Sequence, residues 1–181
     1  MESIIAATSK TTLGLSNHFL FKTLKKDLQL NLFDSVYSSD TVPIKKLAGS
    51  KPLLCIVNCS PSNKPGTHFV CLLVRKKDIL VLDSLALPLE IAAPNLLLRL
   101  QICGKKITHA FDKPLQNALS AFCGIYCMYF CLYISKRDFP RGRRHLKSMS
   151  TDREEGNDKT VLHNLLLLIR SNPTVERERA K

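Results

Sequence analysis

Residues 66–83 read Gly66-Thr67-His68-Phe69-Val70-Cys71-Leu72-Leu73-Val74-Arg75-Lys76-Lys77-Asp78-Ile79-Leu80-Val81-Leu82-Asp83. Two apolar runs, 68–74 and 79–82, are split by a charged turn at 75–78, the pattern of a β-hairpin whose strands are covered on both faces. A third run at 53–58, set off by the turn formers Pro61-Ser62-Asn63-Lys64-Pro65-Gly66, adds another strand to the same sheet. Antiparallel pairing of the hairpin has a chemical consequence. His68 opens one strand and Asp83 closes its neighbour, so the two stand at one edge of the sheet.

Outward from this hairpin the chain alternates helices and loops. A helix over 18–28, capped by Ser16 or Asn17, places Phe19, Leu20, Leu24 and Leu28 on one side and Lys22, Lys25, Lys26 and Asp27 on the other. Residues 33–43 mix turn formers with two aromatics and read as an ordered loop. Pro94 and Gly104 bracket a helix over 95–102, and 105–111 reads as one more strand. Residues 118–134 carry no formal charge, but at this length, with three Tyr, three Cys, Ser120 and Gly124, they read as a buried central helix over 120–134, not a membrane span. Asn157 is expected to cap a final helix over 158–170, with Leu162, Leu165, Leu166 and Ile169 as its apolar stripe. The reading is one domain over 1–181 of α+β class, with loose ends at about 1–12 and 172–181.

Composition bounds what such a domain can be. The chain of 181 residues, 45% hydrophobic with seven Gly, is long enough to bury a core and is unlike a disordered or fibrous sequence. Its net charge of +12 and pI of 9.6 imply either attraction to polyanions or a solvated basic surface. Arg141, Arg143, Arg144 and Lys147 form the densest basic cluster, with no aromatic between them, which suits phosphate contacts and not base recognition. The seven cysteines are odd in number and four lie in apolar runs, as expected of thiols in a reducing cytosol or nucleus. No basic segment leads into a long apolar run after Met1, so no secretory leader is expected.

Within Gln116-Asn117-Ala118-Leu119-Ser120-Ala121-Phe122-Cys123-Gly124-Ile125-Tyr126-Cys127, Cys123 falls in the first turn of the central helix, where the dipole's positive end favours a thiolate. A cysteine nucleophile needs a base, a group to orient that base and donors for an oxyanion. His68 fits the base, Asp83 the orienting carboxylate, and the Gln116 side chain with the Cys123 N–H the oxyanion donors, while Gly124 leaves room for substrate. Each residue alone also reads as a core thiol or a core histidine. Cys123, Cys127 and Cys131 recur every four residues, a spacing poor for zinc and better explained by packing, so no metal site is expected.

Taken together, Gly66-Thr67-His68-Phe69-Val70, Val81-Leu82-Asp83-Ser84 and the Gln116 to Cys127 stretch resemble the ordered His, Asp, Gln, Cys signature of the adenain-like and SUMO-protease superfamily of cysteine peptidases. The seven-residue step from Gln116 to Cys123, the 33–43 segment and the late Asn157-Asp158-Lys159 resemble the adenain-like proteases of Polinton/Maverick elements and adintoviruses. The likeness runs from about residue 16 to 170. It implies a small mixed sheet packed on a central helix that carries the nucleophile, and it assigns His68 as base, Asp83 as third member, Gln116 as oxyanion donor and Cys123 as nucleophile. The implied activity is a monomeric endopeptidase that matures capsid or core precursors of a virus or virus-like element, cutting after small residues, in the virion and the host nucleus or cytoplasm. Phe69 stands where the family usually has Trp, keeping an apolar wall without the indole N–H. DNA, held by the 141–147 cluster, and an activating peptide, for which Cys103 is a disulfide candidate, are the implied cofactors. A ubiquitin-like-specific isopeptidase and an effector-type acetyltransferase share the scaffold and its residues. A DNA-binding protein without enzymatic activity is the alternative outside it.

Overall fold

The continuous apolar runs do become the centre of a sheet. The computed structural model describes residues 14–136 and 154–172. Five strands lie in chain order: β1 Phe33–Ser38, β2 Leu53–Asn58, β3 Phe69–Val74, β4 Asp78–Leu82 and β5 Lys106–His109. The inner pairs β2–β3 and β3–β4 are antiparallel, and the outer pairs β1–β2 and β4–β5 are parallel. The 75–78 turn closes the expected hairpin, with the Arg75 N–H donating to the Asp78 carbonyl at 2.9 Å and its guanidinium paired with the Asp78 carboxylate.

Strand β3 is buried along its whole length because both of its faces are covered. On one face Leu54, Ile56, Cys71, Leu73, Leu80 and Leu82 meet helix α5, Cys123–Lys136, which is backed by α6, Glu154–Arg170. On the other, Cys55, Val57, Val70, Leu72 and Val81 meet three shorter helices: α2, Ile44–Ala48, α3, Leu89–Ala92, and α4, Pro94–Ile102. Pro94 opens α4 at a position whose N–H needs no partner, and Gly104 follows its end at φ +71°, where a side chain would be strained. Helix α5 is apolar all round, and 125–134 are buried without exception. No described helix is long and apolar enough to cross a membrane. The mixed sheet packed against this helix is the expected α+β arrangement.

Four expectations need correction. Residues 33–38 form strand β1, not a loop. Its Asp34 and Tyr37 are satisfied at the sheet edge by each other at 2.6 Å and by Lys46, so a polar composition coexists with parallel pairing to β2. The first helix is α only over Asn17–Phe21 (α1) and continues as a π-helical turn over Lys22–Asp27, in which the Leu28 N–H donates to the Thr23 carbonyl at 2.8 Å. The central helix begins at Cys123 itself, three residues later than its apolar sequence suggests, because Asn117 and Gln116 take the polar groups of 119–120 into a turn. Asn157 lies inside α6 and is not its N-cap: α6 starts at Glu154. The basic residues Arg141, Arg143, Arg144 and Lys147, and the expected loose ends, lie outside the described residues apart from the buried Asn172.

Candidate active site

The end of β4, the start of β3 and the first turn of α5 converge on one cleft of about 500 Å3. His68 directly precedes β3 and Asp83 directly follows β4, so the antiparallel register sets them side by side. His68 Nε2 and Asp83 Oδ1 are 2.7 Å apart, with both residues buried, at 8% and 2% exposure. The carboxylate is itself fixed from behind: Oδ1 also accepts from the Leu85 N–H at 2.9 Å and Oδ2 from the Leu87 N–H at 3.1 Å. With Nε2 committed to Asp83, Nδ1 is the ring nitrogen left for the thiol. Cys123 is half-buried and lines the cleft together with His68.

Burial pulls the His68 pKa down, but the hydrogen bonds and charges of Asp83 and Cys123 pull harder the other way and leave it raised from 6.5 to about 9. The folded value lies above the unfolded one, so the pair's contribution to stability is complete below pH 6.5 and is lost as pH rises through about 9. Urea midpoints measured from pH 6 to 10 are expected to fall across that window in the wild type and to flatten in His68→Gln; equal slopes in both would remove the pair as the cause.

Gln116 is 1% exposed and held at both ends of its amide: Oε1 accepts from the Ser84 hydroxyl at 2.7 Å and Nε2 donates to the Ser120 carbonyl at 2.7 Å. An amide nitrogen carries a second hydrogen, and Gln116 is part of the cleft wall with Cys123. Phe69 also lines the cleft and is 7% exposed. Gly124 does not do what was expected of it. It is buried outside the cleft lining, and a Cβ there would meet Leu15 Cβ at 3.1 Å, so the space its missing side chain leaves belongs to Leu15 and not to a substrate. Gly66 has a similar internal role, because a Cβ would come within 2.3 Å of Asn58 Nδ2, which donates to Asn17 Oδ1 at 3.3 Å in the cleft wall.

Cys127 and Cys131 face the core. Both are essentially unexposed, Cys131 Sγ lies 3.7 Å from Cys71 Sγ, and burial pushes their thiols up, as it does those of Cys55 and Cys59. Among the described residues no cluster of His, Cys, Asp or Glu has the geometry to hold a metal ion.

Sequence reasoning gave Ser84, Asn157 and Asp158 no role in the site. Ser84 fixes Gln116 by its hydroxyl and also by its carbonyl, which accepts from the N–H groups of Leu115 and Gln116 at 2.7 and 3.0 Å. Asn157 and Asp158 are buried on α6, where Asn157 Nδ2 donates to the Leu115 carbonyl at 3.1 Å and Asp158 Oδ1 lies 3.0 Å from the Tyr126 hydroxyl. The signal for Asp158 was present: it falls three residues before Val161 and seven before Leu165, on the apolar stripe, where an uncompensated carboxylate would be costly.

Compared with known proteins, the sequence matches no family model and no curated protein.

Proposed function

We propose that this protein is a cysteine endopeptidase, with Cys123 as nucleophile, His68 as acid and base, Asp83 as the group that orients His68, and Gln116 with the Cys123 N–H as oxyanion donors. The observation that carries the reading is the buried 2.7 Å His68–Asp83 contact, with the same imidazole lining one cleft with a cysteine at a helix start. A helix-terminal thiol next to a carboxylate-backed imidazole is the arrangement that makes thiolate and imidazolium together. The thiolate sulfur attacks the scissile carbonyl carbon, and the carbonyl electron pair moves to oxygen, where the two donors stabilise it. Collapse expels the amine, which takes its proton from the His68 imidazolium and leaves a thioester. Water then gives a proton to His68 as it attacks, and the acid product departs from the regenerated thiolate.

On its resemblance, the substrate is a capsid or core precursor of a virus or virus-like transposon, cut after a small residue, within an adenain-like variant of the papain-type fold. Gly14, Ser16, Gly66, Ala118, Ser120 and Ala121 give the cleft a lining of small side chains, which supports an extended chain lying close to the backbone. The test is incubation with the precursor of its own element, with Gly-Gly ubiquitin-like probes and with an acetyl-donor assay, each with and without DNA at several salt concentrations. Cleavage of the precursor alone, accelerated by DNA and slowed by salt, is expected. Turnover of the ubiquitin-like probe or acetyl transfer would reassign the substrate class, and rates that ignore DNA and salt would remove the 141–147 cluster as a cofactor site.

A further inference from the structure

The segment just before the Gln116 side chain is clamped from two directions. From the sheet side, the Ser84 carbonyl accepts from the Leu115 and Gln116 N–H groups at 2.7 and 3.0 Å. From the helix side, the Leu115 carbonyl accepts from Asn157 Nδ2 at 3.1 Å and from the Tyr126 hydroxyl at 2.9 Å, a hydroxyl whose single hydrogen is shared with Asp158 Oδ1 at 3.0 Å. Tyr126 belongs to α5, three residues past Cys123, and Asn157 to α6; Leu115, Gln116 and Tyr126 are at most 1% exposed and Asn157 is 5% exposed. An interface between two apolar helices packs as well with Phe and Leu, and a buried hydroxyl and amide carry a desolvation cost that only well-made hydrogen bonds offset. Here both converge on a single main-chain oxygen one residue before Gln116, which lines the cleft with Cys123.

We infer that Tyr126 and Asn157 are positioning residues for Gln116, acting through the Leu115 carbonyl to set the oxyanion donor relative to the Cys123 thiol. The inference rests on the peptidase reading for its kinetic consequence, although not for the positioning itself. An oxyanion donor works only in the transition state, so its displacement by even about 1 Å lowers kcat and leaves KM nearly unchanged.

The test uses Tyr126→Phe and Asn157→Leu, which keep volume and remove one donor each. Each is expected to lower kcat by about 5- to 50-fold with KM within about twofold, while alkylation of Cys123 by iodoacetamide, which needs thiol and base but no oxyanion donor, keeps its wild-type rate. In a Gln116→Ala background, Tyr126→Phe is expected to cost nothing further. An unchanged kcat, a parallel fall in alkylation, or an additive loss on Gln116→Ala would each overturn the inference and leave the pair a packing feature. Tyr126→Phe decides alone should Asn157→Leu not fold. A wild-type protein that hydrolyses no precursor peptide would sink the peptidase reading, and the positioning is then decided by NMR. The Gln116 side-chain amide signals, assigned by their absence in Gln116→Ala, are expected to exchange with solvent at least about tenfold faster in both variants as its anchorage loosens; equal exchange overturns it.

Discussion

Replacing Cys123 by Ala is expected to reduce precursor cleavage to background and to abolish labelling by a thiol-reactive peptide, and His68→Ala to lower kcat by about 10^3-fold or more. Neither loss has a local substitute. Cys127, one turn on, is 1% exposed, Cys59 and Cys71 are buried with thiols pushed up by their surroundings, and the half-buried Cys103 is absent from the cleft lining, so among the described residues Cys123 is the one sulfur in the cleft wall. His109 is exposed at the end of β5 and is absent from the cleft wall, so it cannot replace His68. Steady-state kinetics with active-site titration would measure both variants. A His68→Ala protein that cleaves at near wild-type rates would remove His68 as the base, and labelling that survives Cys123→Ala would move the nucleophile elsewhere.

Asp83→Asn is expected to lower kcat/KM by about 10^2- to 10^4-fold and to bring the His68 pKa down from about 9 toward its ordinary value. An amide often stands in for a carboxylate beside a histidine, but this carboxylate accepts on both oxygens, from His68 Nε2 and the Leu85 N–H at Oδ1 and from the Leu87 N–H at Oδ2. An asparagine has one acceptor oxygen. Turned to keep His68, it points its NH2 at the Leu87 N–H; turned to keep Leu87, it offers a donor to Nε2 and imposes the wrong imidazole tautomer. Either choice leaves a buried donor facing a donor, worth about 1–3 kcal/mol of folding stability. Two-dimensional NMR of the imidazole across pH 5–10, with urea unfolding, would follow both effects. A variant with wild-type kcat/KM and an unmoved His68 titration would show that Asp83 only packs.

The centre of the sheet was legible because strands buried on both faces must be apolar throughout, and β2, β3 and β4 match the runs at 53–58, 68–74 and 79–82 almost to the residue. The His68–Asp83 contact was legible for the same reason, since a four-residue turn leaves the hairpin little choice of register. Strand β1 was hidden because an edge position lets Asp34 and Tyr37 keep polar partners and so imitate a loop. Asn157 was misplaced because a polar residue ahead of an apolar stripe looks the same whether it caps a helix or is buried within one. Gly124 was misjudged because a glycine beside a candidate nucleophile suggests room for a ligand, whereas only the fold reveals that Leu15 fills it. What the chain order could not convey at all is the Ser84 anchorage of Gln116, a contact across 32 residues that depends on where β4 ends.

The distribution of these parts along the chain also bears on synthesis. Helix α6, packed behind α5, spans Glu154–Arg170 of a 181-residue chain, and its Asn157 reaches back 42 residues to the Leu115 carbonyl. A nascent polypeptide whose first 130 or so residues have left the ribosome already contains His68, Asp83, Gln116 and Cys123, yet still has α5 bare on the side that α6 will cover. Helix α6 is thus translated after all four candidate residues, and the helix that carries Cys123 gains its cover only when α6 emerges.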